Sequence, residues 1–458
     1  MTNGDITPKR ENQSKRRKHL VGENAPLLPT TLEGNEFDGA SFTGSVFNLS
    51  TTVVGAGIMA LPATVKVLGL LLGIFMIIFM AFFTYASVEL LVRFSRAAKA
   101  VSYGGVMGDG FGKPGRILLQ LCILLNNFGG LIAYVIIIGD VLSGTSSGGI
   151  HHAGVLEGWF GQHWWTGRTF VLLVTTLGIF TPLAFVKRID SLRFTSALSF
   201  MLAGVFIAVT VGIAVLKLIN GSIMMPRLLP NVTDFESFWK LFTVVPMLVT
   251  AYICHYNVHS VDNELEDKAE IKAVLQTTLA LCSSIYVVTG LFCFLLFGDS
   301  TFDDVLANFD TDLGIPYSSL LNDIIRVSYG LHLMLVFPLC FYPLRLNLDG
   351  LLFPSARPLA LSNMRFVLIT IGPTILIFLG ANFIPSIWDA FQFTGSTSAV
   401  CLGFIFPASI TLRDQHNIAT KKDKILGIIM IILAVLSSLV AIYSDVCVQF
   451  KKSKYTIW

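Results

Sequence analysis

The sequence predicts an all-α integral membrane protein with about eleven transmembrane helices. Of its 458 residues, 53% are hydrophobic and only 13% are charged, a composition typical of membrane proteins. Apolar runs of about 20 residues, enough to cross a bilayer at 1.5 Å rise per residue, recur almost to the C-terminus. We therefore expect one membrane domain over residues 41–447, between a polar tail at 1–40 and a short tail at 448–458.

The apolar runs define the predicted spans, which we number 1 to 11 in chain order. They cover Phe42–Leu68, Leu70–Phe94, Ile117–Leu142, Thr169–Val186, Thr195–Lys217, Phe238–Ser260, Ile271–Phe297, Ser319–Arg345, Met364–Ile384, Ile387–Leu412 and Ile425–Cys447. Residues 104–112, between spans 2 and 3, have the glycine spacing of a dinucleotide-binding loop. No β-strand precedes them, so we interpret this stretch as a plain connection.

Lysine and arginine residues predict the orientation of the spans. Most of them fall in the N-terminal tail and in the loops on the same side of the membrane as that tail. Because positively charged loops stay in the cytoplasm, we expect a cytoplasmic N-terminus and a C-terminus on the opposite side. Asn231 begins an Asn-Val-Thr triplet, a glycosylation acceptor pattern, and falls on that opposite side.

The N-terminal tail is polar, has no apolar periodicity and is predicted to be disordered. Its basic residues, between Lys9 and Lys18, are interpreted as a cytoplasmic anchor for span 1 in preference to a nuclear localisation signal. The net charge of the chain is only +3, and its basic residues do not interleave with aromatic residues. Nucleic acid is therefore not an expected partner, whereas membrane lipid is.

The centre of span 1 is a poor helix although its length suits a membrane. Gly55-Ala56-Gly57 lies near the middle, and Pro62, which lacks an N–H group, follows shortly after. Inside a membrane, unpaired backbone groups are tolerated where they line a cavity or bind something polar. A broken span therefore predicts a binding site. The alternative is a glycine seam that allows close helix packing.

An inverted repeat predicts a second broken helix five spans later, in span 6. This span contains Pro246 and then a polar second half with Thr250, Cys254 and His255. These residues support a break between Thr250 and Cys254. An ordinary amphipathic helix end near the cytoplasm explains the same residues equally well.

Two half-helices that meet near the midplane expose both kinds of backbone group. N–H groups after Gly57 suit a carboxylate, and carbonyl groups of the other half suit an ammonium group. An α-amino acid carries both charges, so the breaks favour a zwitterion over a sugar or a lone metal ion. Together with polar positions in spans 3 and 10, they supply our candidate substrate-binding residues. These are Thr51, Thr52, Gly55, Ala56, Gly57, Ile58, Asn127, Tyr134, Thr250, Cys254 and Thr394.

Two histidines are candidates for proton coupling. His332 lies near the middle of span 8, where a neutral imidazole could gain and lose a proton, and His255 lies in span 6. A histidine that is hydrogen-bonded within the packed core is the alternative for His332. In the same span, Asp323 and Arg326 lie one helical turn apart and are expected to form an ion pair.

Motifs for catalysis, metal binding and disulfides are missing from the sequence. No HExxH or GxSxG motif occurs in or near a span, so an enzyme is not expected. His151, His152 and His163 share a loop, but their spacing does not match known metal sites. We expect no metal and no cofactor. The seven cysteines lie in or near apolar runs and do not form a disulfide framework.

Several stretches, taken together and in order, resemble one family of membrane proteins. They are NLSTTVVGAGIMALP, YGGVMGDGFGKPG, NNFGGLIAYVIIIGD, the Cys254-His255 pair, FPLCFYPLR and GSTSAVCLGFIFP. From Ser41 to the last span, the chain resembles the amino acid/auxin permease family, especially vacuolar amino-acid transporters of the AVT type in plants and fungi. The resemblance implies a LeuT-type 5+5 inverted repeat with broken helices 1 and 6 and an additional eleventh helix. It also implies proton-linked transport of amino acids, preferentially neutral ones.

One departure from the family concerns the coupling ion. The family's sodium-coupled glutamine carriers resemble this chain but use an amide near the position of Thr51 and a hydroxyl group in span 8. In this sequence, the corresponding stretch Leu331–Pro338 contains neither serine nor threonine. Because sodium binds oxygen ligands, we expect protons to be the coupling ion.

The N-terminal tail also predicts the location. Glu23, Leu27 and Leu28 have the acidic-dileucine spacing, which resembles sorting signals for the tonoplast and lysosome and would bind a sorting adaptor. The vacuolar lumen is acidic, so protons run downhill to the cytosol and a symporter would export its substrate from the vacuole. The alternatives are a plasma-membrane uptake carrier for amino acids or auxin, and a sensor of the same fold without flux.

Overall fold

The computed structural model describes residues 41–147, 150–187, 193–354, 356–357, 359–384 and 386–456. Glu23, Leu27 and Leu28 therefore lie outside the described residues. Within the described ranges the chain is helical apart from connections and one antiparallel hairpin. The hairpin pairs β1 (Thr145–Ser147) with β2 (Ile150–His152).

Span 1 consists of two helices, α1 (Phe42–Val53) and α2 (Gly57–Leu68), which are bent by 60° at the break. Ser41 caps the start of α1, since its hydroxyl oxygen accepts the N–H of Gly44 at 3.2 Å. The chain leaves the helical region at Val54, where ψ is 87°. The predicted break is thus confirmed, and Pro62 lies inside α2 without ending it.

The remaining helices follow in chain order. They are α3 (Leu70–Ala97), α4 (Tyr103–Ser143), α5 (Val155–Phe160), α6 (Arg168–Thr175), α7 (Thr181–Ala184), α8 (Arg193–Ile219), α9 (Phe235–Lys240), α10 (Val244–Tyr252), α11 (His255–Glu264), α12 (Ile271–Phe297), α13 (Ser318–Leu352), α14 (Asn363–Phe383), α15 (Ile387–Thr394), α16 (Phe406–Arg413) and α17 (Lys421–Thr456). Among the described residues, nine helical stretches are long and apolar enough to cross a bilayer, and the bent pair α1–α2 adds a tenth. The shorter apolar stretch Arg168–Ala184 corresponds to predicted span 4.

Span 6 is interrupted as predicted. Helix α10 ends at Tyr252, and Ile253 and Cys254 separate it from α11. Ile253 is extended, with ψ of 112°, so the regular helical hydrogen bonds stop there. Span 10 remains helical, but two π-helical turns, Gly395–Ala399 and Cys401–Ile405, join α15 to α16. These wider turns lie on the small, hydroxyl-rich stretch of the sequence.

Several predicted boundaries differ from the structure, and two of the differences have a clear local cause. Residues 104–112 are helical instead of forming a connection, because the Ser102 hydroxyl caps α4 by accepting the N–H of Gly105 at 3.0 Å. Only Gly112, with φ of 66° and ψ of −159°, leaves the helical conformation and kinks α4. At the other end of the chain, α17 runs on through Thr456, since neither glycine nor proline follows Cys447 to end it.

The ion pair predicted within span 8 is wrong. Arg326 is buried, and its guanidinium donates to the backbone oxygen of Ala153 at 2.7 Å. Asp323 instead accepts the indole N–H of Trp159 at 2.8 Å. The two side chains find separate partners in the loop between spans 3 and 4, and burial of the arginine next to backbone acceptors outweighs a local pair.

Candidate functional site

The break in span 1 lies in the protein interior, and other spans hold its carbonyl groups. The oxygens of residues 53–55 each face a side chain of span 7 or span 8. Tyr286 donates its hydroxyl to the first at 2.7 Å, and Tyr329 donates to the third at 2.7 Å. His332 Nε2 lies 3.1 Å from the second. Because side chains satisfy these oxygens, the unwound backbone is stable inside the protein.

The N–H groups of the same break lack, among the described residues, the partners that its carbonyl groups have. In the part of the chain that the structure describes, those of Gly55, Ala56 and Gly57 have no hydrogen-bond acceptor. A buried N–H group without a partner costs about 1–3 kcal/mol. Helix α2 begins at these residues, so its N-terminal end adds a positive potential. A carboxylate would satisfy several of these donors at once.

The two glycines of the break are in close contact with neighbouring spans. A Cβ atom on Gly57 would lie 2.9 Å from the Cα atom of Ala251 in span 6, closer than such atoms can approach. A Cβ atom on Gly55 would overlap with the hydroxyl group of Tyr134 in span 3. The breaks of spans 1 and 6 are therefore neighbours, and Tyr134 lies directly beside them. Glycine serves here both for close packing and for an open backbone.

Span 6 shares one of these partners with span 1. Besides its bond to span 1, the Tyr286 hydroxyl lies 2.7 Å from the backbone oxygen of Ala251, so a single phenol bridges the two breaks. Thr250 packs against span 10, since a Cβ atom on Gly395 would lie 2.7 Å from its Oγ1 atom. Cys254, at the second break, is fully buried.

The remaining candidate polar residues direct their hydrogen atoms into their own helices. Thr51, Thr52 and Thr394 donate to the carbonyl oxygen about one turn earlier, at 2.8, 2.8 and 2.9 Å. The amide of Asn127 does the same at 2.9 Å. Each of these groups keeps an oxygen that can accept a hydrogen bond. Ile58 is buried and contributes apolar surface directly after the break.

His332 is fully buried, and backbone oxygens face both of its ring nitrogens. Nδ1 lies 2.7 Å from the oxygen of Ser199 in span 5, and Nε2 lies 3.1 Å from the oxygen of Val54. Carbonyl oxygens accept hydrogen bonds and never donate them. Both contacts are hydrogen bonds only when both nitrogens carry hydrogen, which is the charged imidazolium. The arrangement therefore suits a protonated His332.

The sequence did not single out Tyr286 and Tyr329 as site residues. A phenol in the middle of an apolar span needs a hydrogen-bond partner, so their positions were a usable signal. The partner atoms were not predictable, because they are backbone oxygens of residues far away in the chain. His255, the second proton-coupling candidate, lies at the start of α11 and contacts Ser87 of span 2.

Comparisons with known proteins agree with this architecture. A family model described as transmembrane amino acid transporter protein matches residues 38–447. Amino acid transporter AVT6A of Arabidopsis thaliana is 65% identical over 455 residues, which cover 98% of each chain. AVT6B of the same plant is 64% identical over 451 residues, covering 97% of this chain and 99% of its own.

The fold also has counterparts among solved structures. MhsT in complex with L-phenylalanine superposes with a TM-score of 0.59 at 13% identity, covering 90% of this chain and 100% of its own. At that identity the likeness concerns the fold, and it confirms the expected LeuT-type arrangement with broken helices 1 and 6. Together with the family match, these findings show that the chain belongs to the transmembrane amino acid transporter family.

Proposed function

We propose that the chain is a proton-coupled symporter that moves neutral amino acids from the vacuolar lumen to the cytosol. The observation that carries proton coupling is the pair of backbone oxygens around His332. One of them belongs to Val54 at the break, so loss of the proton removes a hydrogen bond from the backbone of the substrate site itself. Protonation and the shape of the site are thereby linked.

The substrate class follows from the two breaks. The free N–H groups of residues 55–57 are suited to the carboxylate of an amino acid, and the neighbouring break in span 6 supplies carbonyl groups for its ammonium group. Phenols, an imidazole and small residues surround the breaks, and this lining favours a neutral side chain. MhsT, a protein of the same fold, is described in complex with L-phenylalanine, a neutral amino acid.

Location and direction rest on the N-terminal tail and on the charge distribution. The expected sorting residues Glu23, Leu27 and Leu28 would carry the protein to the vacuolar membrane, and the basic loops would keep the tail in the cytosol. Protons then flow from the acidic lumen to the cytosol and carry the amino acid with them. Replacement of Leu27 and Leu28 by alanine should redirect the protein to the plasma membrane, and unchanged vacuolar location would contradict the signal.

His332→Gln tests proton coupling in proteoliposomes. Glutamine keeps an N–H donor of similar reach but cannot bind a second proton, so we expect pH-gradient-driven accumulation of labelled alanine to fall at least tenfold. Replacing sodium with an impermeant cation should leave wild-type uptake unchanged. His163→Gln, in an exposed loop outside the site, is the matched control. Normal accumulation by His332→Gln would exclude His332 as the coupling residue, and sodium dependence would exclude proton coupling alone.

A further inference from the structure

Two histidines follow the break in span 6 on one face of α11. His255 begins the helix. His259 lies one turn later, nearer the end of span 6, on the side where the α3–α4 connection also lies. Both side chains are buried, with only 1% and 6% of their surfaces exposed. Residues four apart on a helix are neighbours. The two rings therefore follow one another from the break toward the membrane surface on that side.

The hydrogen bonds of Ser87 fix the tautomer of His255. His255 Nε2 lies 3.1 Å from the Ser87 hydroxyl, and that hydroxyl donates its single hydrogen to the backbone oxygen of Gly403. The serine oxygen can therefore only accept from the ring. His255 Nε2 must carry the hydrogen, and its Nδ1 atom holds the free lone pair.

The same arrangement recurs one turn later. His259 Nε2 lies 3.1 Å from the Ser95 hydroxyl, which donates its hydrogen to the backbone oxygen of Ala100 at 2.7 Å. Again the ring must donate through Nε2. Among the described residues, the Nδ1 atoms of both histidines are buried and have no hydrogen-bond partner. Each ring can thus accept a proton at Nδ1 without losing the bond that holds it in place.

We propose that His255 and His259 form the route by which the coupled proton leaves the substrate site for the cytosol. This inference rests on the proposed proton symport and adds His259 as a second proton-transfer residue. A hydronium ion that carries the coupled proton transfers it to the Nδ1 lone pair and becomes water, and the resulting imidazolium stays bonded to serine through Nε2. The proton then passes from Nδ1 to the next acceptor, and the neutral ring is restored.

The surroundings of the route favour release over storage. The ring of Tyr103 stacks on His259 with the ring centroids 6.1 Å apart, and Asp262, three residues further along α11, pairs with Arg96 at 3.7 Å. Arg96 also donates to the backbone oxygen of Lys268. Asp262 follows His259 by about one turn on the same helix, and its partly exposed carboxylate would pass the proton on to water. Because burial disfavours the charged ring, His259 holds a proton only briefly.

His259→Gln separates proton release from substrate binding. The glutamine amide can replace Nε2 as the donor to Ser95, but it offers no basic Nδ1 atom. We expect net accumulation of alanine driven by a pH gradient to fall at least tenfold. Counterflow exchange at equal pH, which needs no proton release, should stay within about threefold of wild type. His416→Gln, an exposed histidine that contacts Asp109 at 2.8 Å, is the matched control and should not change either rate.

The outcomes distinguish the route from the proposed function. Net accumulation by His259→Gln within twofold of wild type would overturn the route while leaving proton symport in place. An equal loss of net flux and exchange in a correctly folded variant would indicate a structural role and also overturn it. Wild-type net accumulation that does not depend on the pH gradient would overturn the proposed function and the route together. Ser95→Ala removes the hydroxyl that accepts from His259 Nε2, so either ring nitrogen of His259 can carry the hydrogen. It should lower net flux only about two- to fivefold.

Discussion

The two broken spans place histidine in opposite hydrogen-bonding environments. At the break of span 1, His332 faces backbone oxygens on both nitrogens, an arrangement that suits a bound proton. After the break of span 6, His255 and His259 each donate through one nitrogen and leave the other without a partner. All three histidines are buried, so burial alone does not distinguish their hydrogen-bonding environments. We propose that the number of acceptors around the ring decides whether a proton is held or passed on.

The backbone groups of the two breaks also differ in their hydrogen-bond partners. Side chains bond the oxygens of Val53 and Gly55 and face that of Val54, whereas the N–H groups of residues 55–57 have no acceptor within the described part of the chain. At the break of span 6, the oxygen of Ala251 shares the hydroxyl of Tyr286, and the histidine pair follows in the sequence. We therefore propose that span 1 binds an anion and that span 6 passes a proton.

The largest effect is expected from closing the break in span 1. Gly57→Leu would force a side chain into Ala251, and Gly55→Leu would displace Tyr134. Both should lower alanine transport below about 1% of wild type, because the first substitution overlaps with the backbone of span 6 and the second displaces the buried side chain of a candidate site residue. Gly372→Leu is the control, since a Cβ atom there meets nothing within 4 Å. Normal transport by both site variants would make the break an ordinary packing seam.

A smaller effect is expected from separating the two breaks. Tyr286→Phe removes the hydroxyl that lies 2.7 Å from the oxygens of Val53 and Ala251. A buried carbonyl left unpaired costs about 1–3 kcal/mol, so transport should fall about tenfold and the melting temperature should drop. Tyr317→Phe, at an exposed position, should match wild type in both measurements. Unchanged transport in Tyr286→Phe would show that the two breaks function independently.

The smallest effect is expected from a carboxylate outside both breaks. It tests how the stability of the protein depends on pH, separately from proton coupling. Burial raises the pKa of Asp304, which precedes the turn Val305–Asp310, to about 8. Because the native state binds this proton more tightly than the unfolded chain, its contribution is full below about pH 4 and is lost as pH rises through about 8. Wild-type melting temperature should therefore fall over this range. Asp304→Asn should flatten that fall, and an identical pH profile would contradict the assignment.

Much of the fold was predictable from short stretches of sequence. The length of the apolar runs located the spans, and the glycines at 55 and 57 located the first break. Boundaries failed where a capping side chain or an uninterrupted helix outweighed composition, at residues 104–112 and beyond Cys447. The expected pair of Asp323 and Arg326 failed because each side chain found a partner from another part of the chain.

The candidate site divides along the same line. Gly55 and Gly57 were recognisable because a weak helix in a membrane is visible in local sequence. The partners of the break were not, since Tyr286 meets Val53 across 233 positions and Tyr329 meets Gly55 across 274. His332 was recognisable as a titratable group in a span, but its two acceptors were not.

By itself the sequence determined that the chain is helical and crosses a membrane, and it indicated the break in span 1, while the break in span 6 stayed one of two equal alternatives. These properties depend on local hydrophobicity and on backbone preferences of neighbouring residues. Only the tertiary structure decided which hydroxyl bonds which carbonyl and which ring nitrogen carries hydrogen. Hydrogen bonds are short and directional, so they depend on atoms that folding brings together from distant spans.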